Sequence, residues 1–323
     1  MKAGVASENG LAIRDVPRPQ AGPNQVLVEV RAAGLNRADL NAAKGAGVAT
    51  RDSWGKPIGL EWAGVVAETG AGVEGLRAGD RVMCSGAGGY AEYAVCDAAR
   101  AMPIPDAKLS FERAAILPLA LLTMHDAVVT NGRLRAGEAV LIQGASSGVG
   151  LMGLQIARHM GAATVIGSST NDARRARLKD FGADIVVDTR AANWADAVLG
   201  ATGGQGVHLI VDMISGPVIE QSMKAARVRG RIVNVGRLGG THADFNFDLH
   251  ALKRLDYIGV TFRTRTAADV AEIVRRMRAD LWDAVAAGKL DLPIDSRFPL
   301  DQAAAAHARM RANEHFGKIV LTM

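Results

Sequence analysis

Aromatic side chains are scarce in this sequence, at 4% of 323 residues. The core must therefore be built from Ala, Val, Leu and Ile. Cysteine is scarcer still, with only Cys84 and Cys96. Neither sits in a CxxC pair or a Cys/His cluster, which excludes a cysteine-built zinc lobe and a disulfide framework. One disulfide or two free thiols remain open, and thiols are the expectation in a reducing compartment. No long Lys/Arg run occurs, and the formal net charge is only +5. That balance suits a small anionic ligand better than nucleic acid. The first ten residues, MKAGVASENG, lack the apolar stretch of a signal peptide. Residues Ala139–Ala157 are uncharged, yet they hold four glycines, two serines and two glutamines, which argues against a membrane span. Internal repeats and low-complexity linkers are absent too. A cytoplasmic protein with a small-molecule partner is expected, without nucleic acid or membrane contacts.

What is present is a globular composition: 49% hydrophobic and 22% charged residues, with length for two domains. Up to about residue 115 the chain reads as short strands separated by glycine-marked turns: Val26–Val30, Ala63–Glu68, Arg81–Cys84 and Ala91–Val95. This rhythm suggests a barrel-like unit. From about Glu112 strands alternate with helices. Strands are expected at Ala139–Gln143, Thr164–Gly167, Asp184–Val187, Leu209–Asp212, Arg231–Val235 and Tyr257–Thr261. Helices are expected between them at Val149–Met160, Asp172–Phe181, Trp194–Ala201, Pro217–Arg227 and Asp248–Leu255. Six strands with intervening helices specify an α/β, doubly wound parallel sheet. The tail adds helices over Ala267–Ala287 and Phe298–Arg311 and a last strand over Lys318–Met323, and is expected to return to the first domain.

The stretch VLIQGASSGVGLMGLQIA (Val140–Ala157) reads as strand, small-residue turn and helix. The glycine positions of a dinucleotide fingerprint fall on Ala145, Ser147 and Gly150. Small side chains are the physical requirement, because backbone N–H groups and the helix N-terminus must face a pyrophosphate. Ala145, Ser146, Ser147, Gly148 and Val149 are therefore candidate cofactor-binding residues. The alternative is a glycine-rich turn that binds nothing. The second strand ends in Ser168, Ser169 and Thr170 rather than in the acid that reads an NAD ribose. Arg174 and Arg175 follow. Hydroxyls and a guanidinium suit a 2′-phosphate, so NADPH is expected over NADH, with Ser168, Ser169 and Arg174 as its readers. The bland alternative is a solvated basic helix face.

AAGLNRADL (Ala32–Leu40), GLEWAGVVAETGAGVEGLRAGDRV (Gly59–Val82), GGYAEY (Gly88–Tyr93), IQGASSGVG (Ile142–Gly150) and FGKIVL (Phe316–Leu321) occur in this order. The chain thereby resembles the zinc-independent quinone oxidoreductase branch of the medium-chain dehydrogenase/reductase superfamily. The resemblance implies a β-rich GroES-like catalytic domain over 1–118 and 265–323, and a six-stranded Rossmann NADPH-binding domain over 119–264. Zinc-dependent alcohol dehydrogenases of the superfamily hold their metal through a Cys and a His. Those places carry Asn36 and Leu60, a poor ligand and a non-ligand, and the seven histidines lack ligand spacing. No metal is expected.

The resemblance further places Asn36, Asp39 and Asn41 near the substrate: Asn36 as a donor to an acceptor oxygen, Asp39 as an orienting group that would need a raised pKa to give a proton. Asn41 stands where relatives often carry Tyr, which removes a stacking ring and a phenol donor. Capping of a short helix is the alternative for this trio. Thr123, Thr189, Asn234, Gly236, Phe262, Arg263 and Lys318 are carried over as cofactor contacts. For Arg263 and Lys318 a surface ion pair is equally open; Tyr90 and Tyr93 read as structural. Together these features imply an NADPH-dependent, zinc-free reductase of quinones or related activated carbonyls. The alternatives are an enoyl or acryloyl reductase of a conjugated C=C bond, and a non-catalytic nucleotide-binding protein. A homodimer is expected through the sixth strand.

Overall fold

The computed structural model describes residues 1–8, 10–44, 54–105 and 107–323. In chain order the strands are β1 (Lys2–Ser7), β2 (Gly10–Asp15), β3 (Gln25–Gly34), β4 (Glu61–Thr69), β5 (Arg81–Ser85), β6 (Tyr93–Asp97), β7 (Ala101–Pro103) and β8 (Ala139–Gln143). They continue as β9 (Thr164–Ser168), β10 (Ile185–Val187), β11 (Val207–Asp212), β12 (Ala226–Asn234), β13 (Asp256–Gly259), β14 (Ile294–Pro299) and β15 (Lys318–Thr322). The chain divides into a first unit, Met1–Leu119 with Thr266–Met323, and a second unit, Ala120–Arg265.

In the first unit one sheet runs β14-β15-β3-β4-β5-β7, with β6 also paired to β3. β3 is its ten-residue axis, and its apolar positions bury against Trp62, Tyr90, Ile319 and Met310. Only β14 and β15 run parallel; the other pairs of this sheet are antiparallel. The register sets Gly34 of β3 opposite Glu61 of β4 on one side and Val320 of β15 on the other. A β1–β2 hairpin forms a separate sheet.

The second unit is a parallel sheet of order β10-β9-β8-β11-β12-β13. The strand order reverses between the paired neighbours β8 and β11, so the connections that follow them leave in opposite directions and open a crevice at the carboxyl ends suited to a ligand. β8 is buried at all five positions, as expected of a strand covered by helices on both faces.

Several expected elements differ. Phe298–Arg311 is not one helix. Phe298 pairs with Leu321 in the β14–β15 ladder, and the helix starts only at Ala303 after a 3₁₀ turn over Leu300–Gln302. Asp172–Phe181 begins as an α-helix and tightens to 3₁₀ from Arg177, closing on Gly182 in the left-handed region, φ 96°. β12 starts at Ala226, where the helix pattern was expected to continue, because sheet pairing with β11 claims it. Ala139–Ala157 is a strand, a turn and a helix. Among the described residues one helical stretch, 111–131, is long and apolar enough to cross a membrane, and 72% of its most apolar window is buried inside the protein. Cys84 and Cys96 are both buried free thiols.

Candidate active site

The turn after β8 is held from within. The hydroxyl of Ser147 accepts from the Gly150 N–H at 3.1 Å and donates to the Gly144 carbonyl at 3.1 Å, capping the helix Gly148–His159. Gly144 is left-handed at φ 70°. A Cβ at Gly150 would lie 2.7 Å from both Ala145 Cα and the Gly144 oxygen, so the third fingerprint position admits no side chain. Ala145 is buried, and its N–H donates to the Ser168 carbonyl at 2.8 Å. Ser146 accepts from the Ser169 hydroxyl at 3.1 Å. The Gly148 and Val149 N–H groups open the helix and have no intrahelical acceptor. They carry the positive end of the dipole, which fits a pyrophosphate.

Ser168 is held inside the fold rather than presented at the edge. Its hydroxyl is buried, donates to Gln143 Oε1 at 2.6 Å and accepts from the Gly144 N–H at 3.0 Å. Its single proton is directed at Gln143 and ties β9 to the turn, so in this arrangement the hydroxyl offers no free donor to a 2′-phosphate. Ser169 and Arg174 remain at that edge. The Arg174 N–H donates to the helix-capping Asn171 side chain at 3.0 Å. The guanidinium that turns back is that of Arg175, which donates to the Ser169 carbonyl at 2.9 Å and pairs with Asp172 and Asp188. Arg190, which sequence reasoning passed over, pairs with the same two acids. Its hydrogen bonds hold the Asp188 carboxyl down at about 2. Half-buried Thr189 lies between Asp188 and Arg190. The acids at this edge are thus already matched by arginines.

At the carboxyl ends of β11 and β12 a second turn forms. Asp212 Oδ1 accepts from the Ile214 and Ser215 N–H groups at 2.8 and 2.9 Å. Ser215 adopts φ 56°, a strained conformation for a non-glycine residue. Its hydroxyl donates to the Gly236 carbonyl at 2.7 Å and accepts from Asn234. A Cβ at Gly236 would lie 2.6 Å from the Met213 oxygen, which explains that glycine. Asp212 is fully buried, and burial raises its pKa. Thr123 is half-buried in the helix Pro118–His125. Phe262 is half-buried with the Arg265 guanidinium 5.7 Å from its ring. Arg263 is exposed, its N–H on Thr261.

The first unit holds a buried polar cluster. Asn36 precedes the short helix Arg37–Ala42. Its N–H donates to Asp39 Oδ2 at 2.7 Å, and the Tyr90 hydroxyl donates to the same oxygen at 2.8 Å. The Asn36 amide turns away from the helix: Nδ2 donates to Glu61 Oε1 at 2.9 Å and, at 3.5 Å, to the Gly34 carbonyl. Lys318 Nζ donates to Asn36 Oδ1 at 2.8 Å and pairs with Glu61. Glu61 Oε2 accepts from the Leu119 N–H at 2.8 Å. Gly34 makes room for this arrangement, since a Cβ there would meet Glu61 Oε1 at 2.6 Å. Burial drives the Asp39 carboxyl up to about 7, against the pull of its two hydrogen bonds and of Lys318.

These contacts change three expectations. The ion pair of Lys318 is not at the surface; Lys318 is 4% exposed beside a fully buried Glu61. Tyr90 orients Asp39 rather than merely filling the core. Asn36 commits its stronger bonds to Glu61 and Lys318, which leaves only the 3.5 Å bond at the limit of hydrogen-bond length. Asn41 is exposed and Asp39 fully buried. Glu61 was missed, although a signal existed: it and Lys318 are opposite charges, each opening a strand whose next residues are apolar. Asn36 stands in this cluster beside the carboxylates of Asp39 and Glu61 and the Lys318 ammonium, which pairs with Glu61. Among the described residues no group of three His, Cys, Asp or Glu side chains is placed to hold a metal ion.

Comparison with known proteins follows the same division. Residues 22–106 match the family described as alcohol dehydrogenase GroES-like domain, and residues 148–279 match zinc-binding dehydrogenase. The chain is similar to the quinone oxidoreductase of Rattus norvegicus, 30% identical over 311 residues, 95% of this chain and 91% of that protein. It is also similar to a mycocerosic acid synthase-like polyketide synthase of Mycolicibacterium smegmatis, 31% identical over 306 residues, 94% of this chain. The chain spans 14% of the length of that synthase. Among solved structures it is similar to mycobacterial Rv1454c complexed with NADPH, with TM-score 0.86, 27% identity and 100% of both chains covered.

Proposed function

The chain belongs to the medium-chain dehydrogenase/reductase superfamily, in its quinone oxidoreductase branch, and on that premise we propose that it is an NADPH-dependent, zinc-free reductase of quinones or related activated carbonyl compounds. The observation that carries this reading is the Gly144–Gly150 turn. Its Ser147 cap, its left-handed Gly144 and the closed space at Gly150 leave two helix-opening N–H groups for a pyrophosphate. Ser169 and Arg174, with Arg190, are the residues proposed to distinguish the 2′-phosphate. Asn234 and Gly236 shape the carboxyl end of β12, across β8 and β11 from that edge, and Thr123, Thr189, Phe262 and Arg263 are proposed as further cofactor contacts.

When bound, NADPH supplies the hydride. The chain supplies the rest. The Asn36 amide, fixed between Glu61 and Lys318, can exchange its long Gly34 bond for an acceptor oxygen. Asp39 holds a proton close to neutral pH, fixed by the Asn36 N–H and Tyr90. Electron-poor acceptors need only such a donor and a proton, which is why a zinc-free site suits quinones and conjugated carbonyls rather than simple alcohols. Likeness to the polyketide synthase segment favours a second reading, reduction of a conjugated C=C bond in an enoyl-type substrate.

NADPH absorbance followed with quinones, enones and 2-substituted acrylates tests both readings. Oxidation by at least one acceptor, slower with NADH, is expected. NADPH binding without turnover by any acceptor would leave a non-catalytic nucleotide-binding protein. Stoichiometric zinc by elemental analysis would overturn the metal-free assignment. We also propose a cytoplasmic homodimer. β13 is a sheet edge, and Leu238, Phe247, Leu252 and Tyr257 are exposed apolar residues of the same unit, Phe247 at 77%. Pairing across a twofold axis would cover such an edge; a monomeric mass in solution refutes it.

A further inference from the structure

Three ionisable side chains meet inside the first unit: Asp39 from the helix Arg37–Ala42, Glu61 from β4 and Lys318 from β15. Asp39 and Glu61 have no exposed surface, and Lys318 has 4%. The groups around them add no charge. Tyr90 donates to Asp39, and burial pushes its phenol well above the usual range. His307, from the helix Ala303–Ala312, packs edge-on to the Tyr90 ring at 5.8 Å and is kept neutral by burial, which lowers it to about 4. Arg37 turns outward, to the Met310 carbonyl and the Asn313 side chain. The cluster therefore contains one cation and two carboxylates. Fully ionised, it would bury an uncompensated negative charge, which a low-dielectric interior strongly disfavours.

Geometry says which carboxylate takes the proton. Both Glu61 oxygens are occupied, Oε1 by Asn36 and Lys318 and Oε2 by the Leu119 N–H. Asp39 Oδ2 accepts two hydrogen bonds, but its Oδ1 is buried and has no partner among the described residues. We propose that Lys318 is a positioning residue that compensates Glu61 alone and so keeps one exchangeable proton on Asp39 Oδ1. This deepens the reductase reading, on which its catalytic consequence rests. In turnover the proton leaves Oδ1 for the anion formed by hydride addition. Asp39 becomes a carboxylate and regains a proton from water.

The test starts on the ligand-free protein, by infrared titration of the protonated carboxyl C=O band with Asp39→Asn as the assignment control. A band titrating near neutral pH in the wild type and missing in Asp39→Asn is expected. In Glu61→Gln, Lys318 is freed to compensate Asp39, and the midpoint should fall by about one pH unit or more. In Lys318→Met both carboxylates lose their cation, and the midpoint should rise by about as much. Shifts in the same direction, or no protonated carboxyl in the wild type, overturn the proposal. If Lys318→Met does not fold, the near-isosteric Glu61→Gln decides alone. The kcat/KM pH profile should move with each infrared midpoint. A moving band with an unmoved profile would keep the charge assignment and remove Asp39 from the reaction.

Discussion

Replacing Gly150 with Ala probes the nucleotide turn at its tightest point. The new methyl carbon would lie 2.7 Å from Ala145 Cα, 2.7 Å from the Gly144 oxygen and 2.8 Å from the Ala145 carbonyl carbon. All three are backbone atoms and cannot swing aside. Ordinary contact is about 3.5 Å, so turn or helix must move by roughly 0.7 Å. Overpacking of this kind costs about 1–3 kcal/mol. If the turn yields, the loss falls on NADPH affinity, as an increase in Kd of about 5- to 140-fold. If the helix yields, it falls on stability. NADPH fluorescence titration and urea denaturation together capture both. Gly200→Ala, in the helix Trp194–Ala201 with nothing within 4 Å of its Cβ, is the control and should stabilise by about 0.4–1 kcal/mol. A Gly150→Ala protein with wild-type Kd and wild-type stability would refute the close-approach argument.

Other substitutions reach the remaining features. Ser147→Ala removes the cap on the Gly150 N–H and should cost about 1 kcal/mol in urea unfolding, while weakening NADPH binding. Arg174→Glu should raise KM for NADPH selectively; equal changes with NADPH and NADH would remove Arg174 from the 2′-phosphate site. His307 is buried with both ring nitrogens unpartnered among the described residues, and burial lowers it to about 4. The folded state then binds fewer protons than the unfolded one below about pH 6.5, so stability falls as pH drops from there to about 4, by about 3 kcal/mol. His307→Leu should flatten that loss in urea titrations; an unchanged slope contradicts it. Asp39 acts with the opposite sign. Raised to about 7 in the fold, it costs stability as pH climbs from about 4 to 7, so Asp39→Asn should gain on the wild type across that window.

Much of the second unit was legible because its signals are local. Ala139–Gln143 is an uninterrupted apolar run, and Trp194–Ala201 is a short amphipathic turn pattern; both fold as read. Gly182 supplies the left-handed residue that ends its helix. The errors sit where a partner distant in sequence decides. Phe298 has helical company in sequence, but Leu321 pairs with it in a ladder. Ala226 continues the helix pattern in sequence, but pairing with β11 makes it the start of β12.

The sequence alone determined the alternation of strands and helices in the second unit and the place of the nucleotide turn; that Asn36 and Leu60 stand at zinc-ligand places is what the family resemblance implies. The first two depend on side-chain size and apolar pattern within a few residues. Only the tertiary structure decided that Lys318 meets Glu61, 257 positions away, and that Gly34 leaves the space for it. Sheet register brings those strands together, and register follows from the burial of whole faces rather than from any one residue. Once buried together, one cation and two carboxylates acquire a proton balance that none has alone. That balance, rather than the identity of any single residue, is what the structure adds to the site.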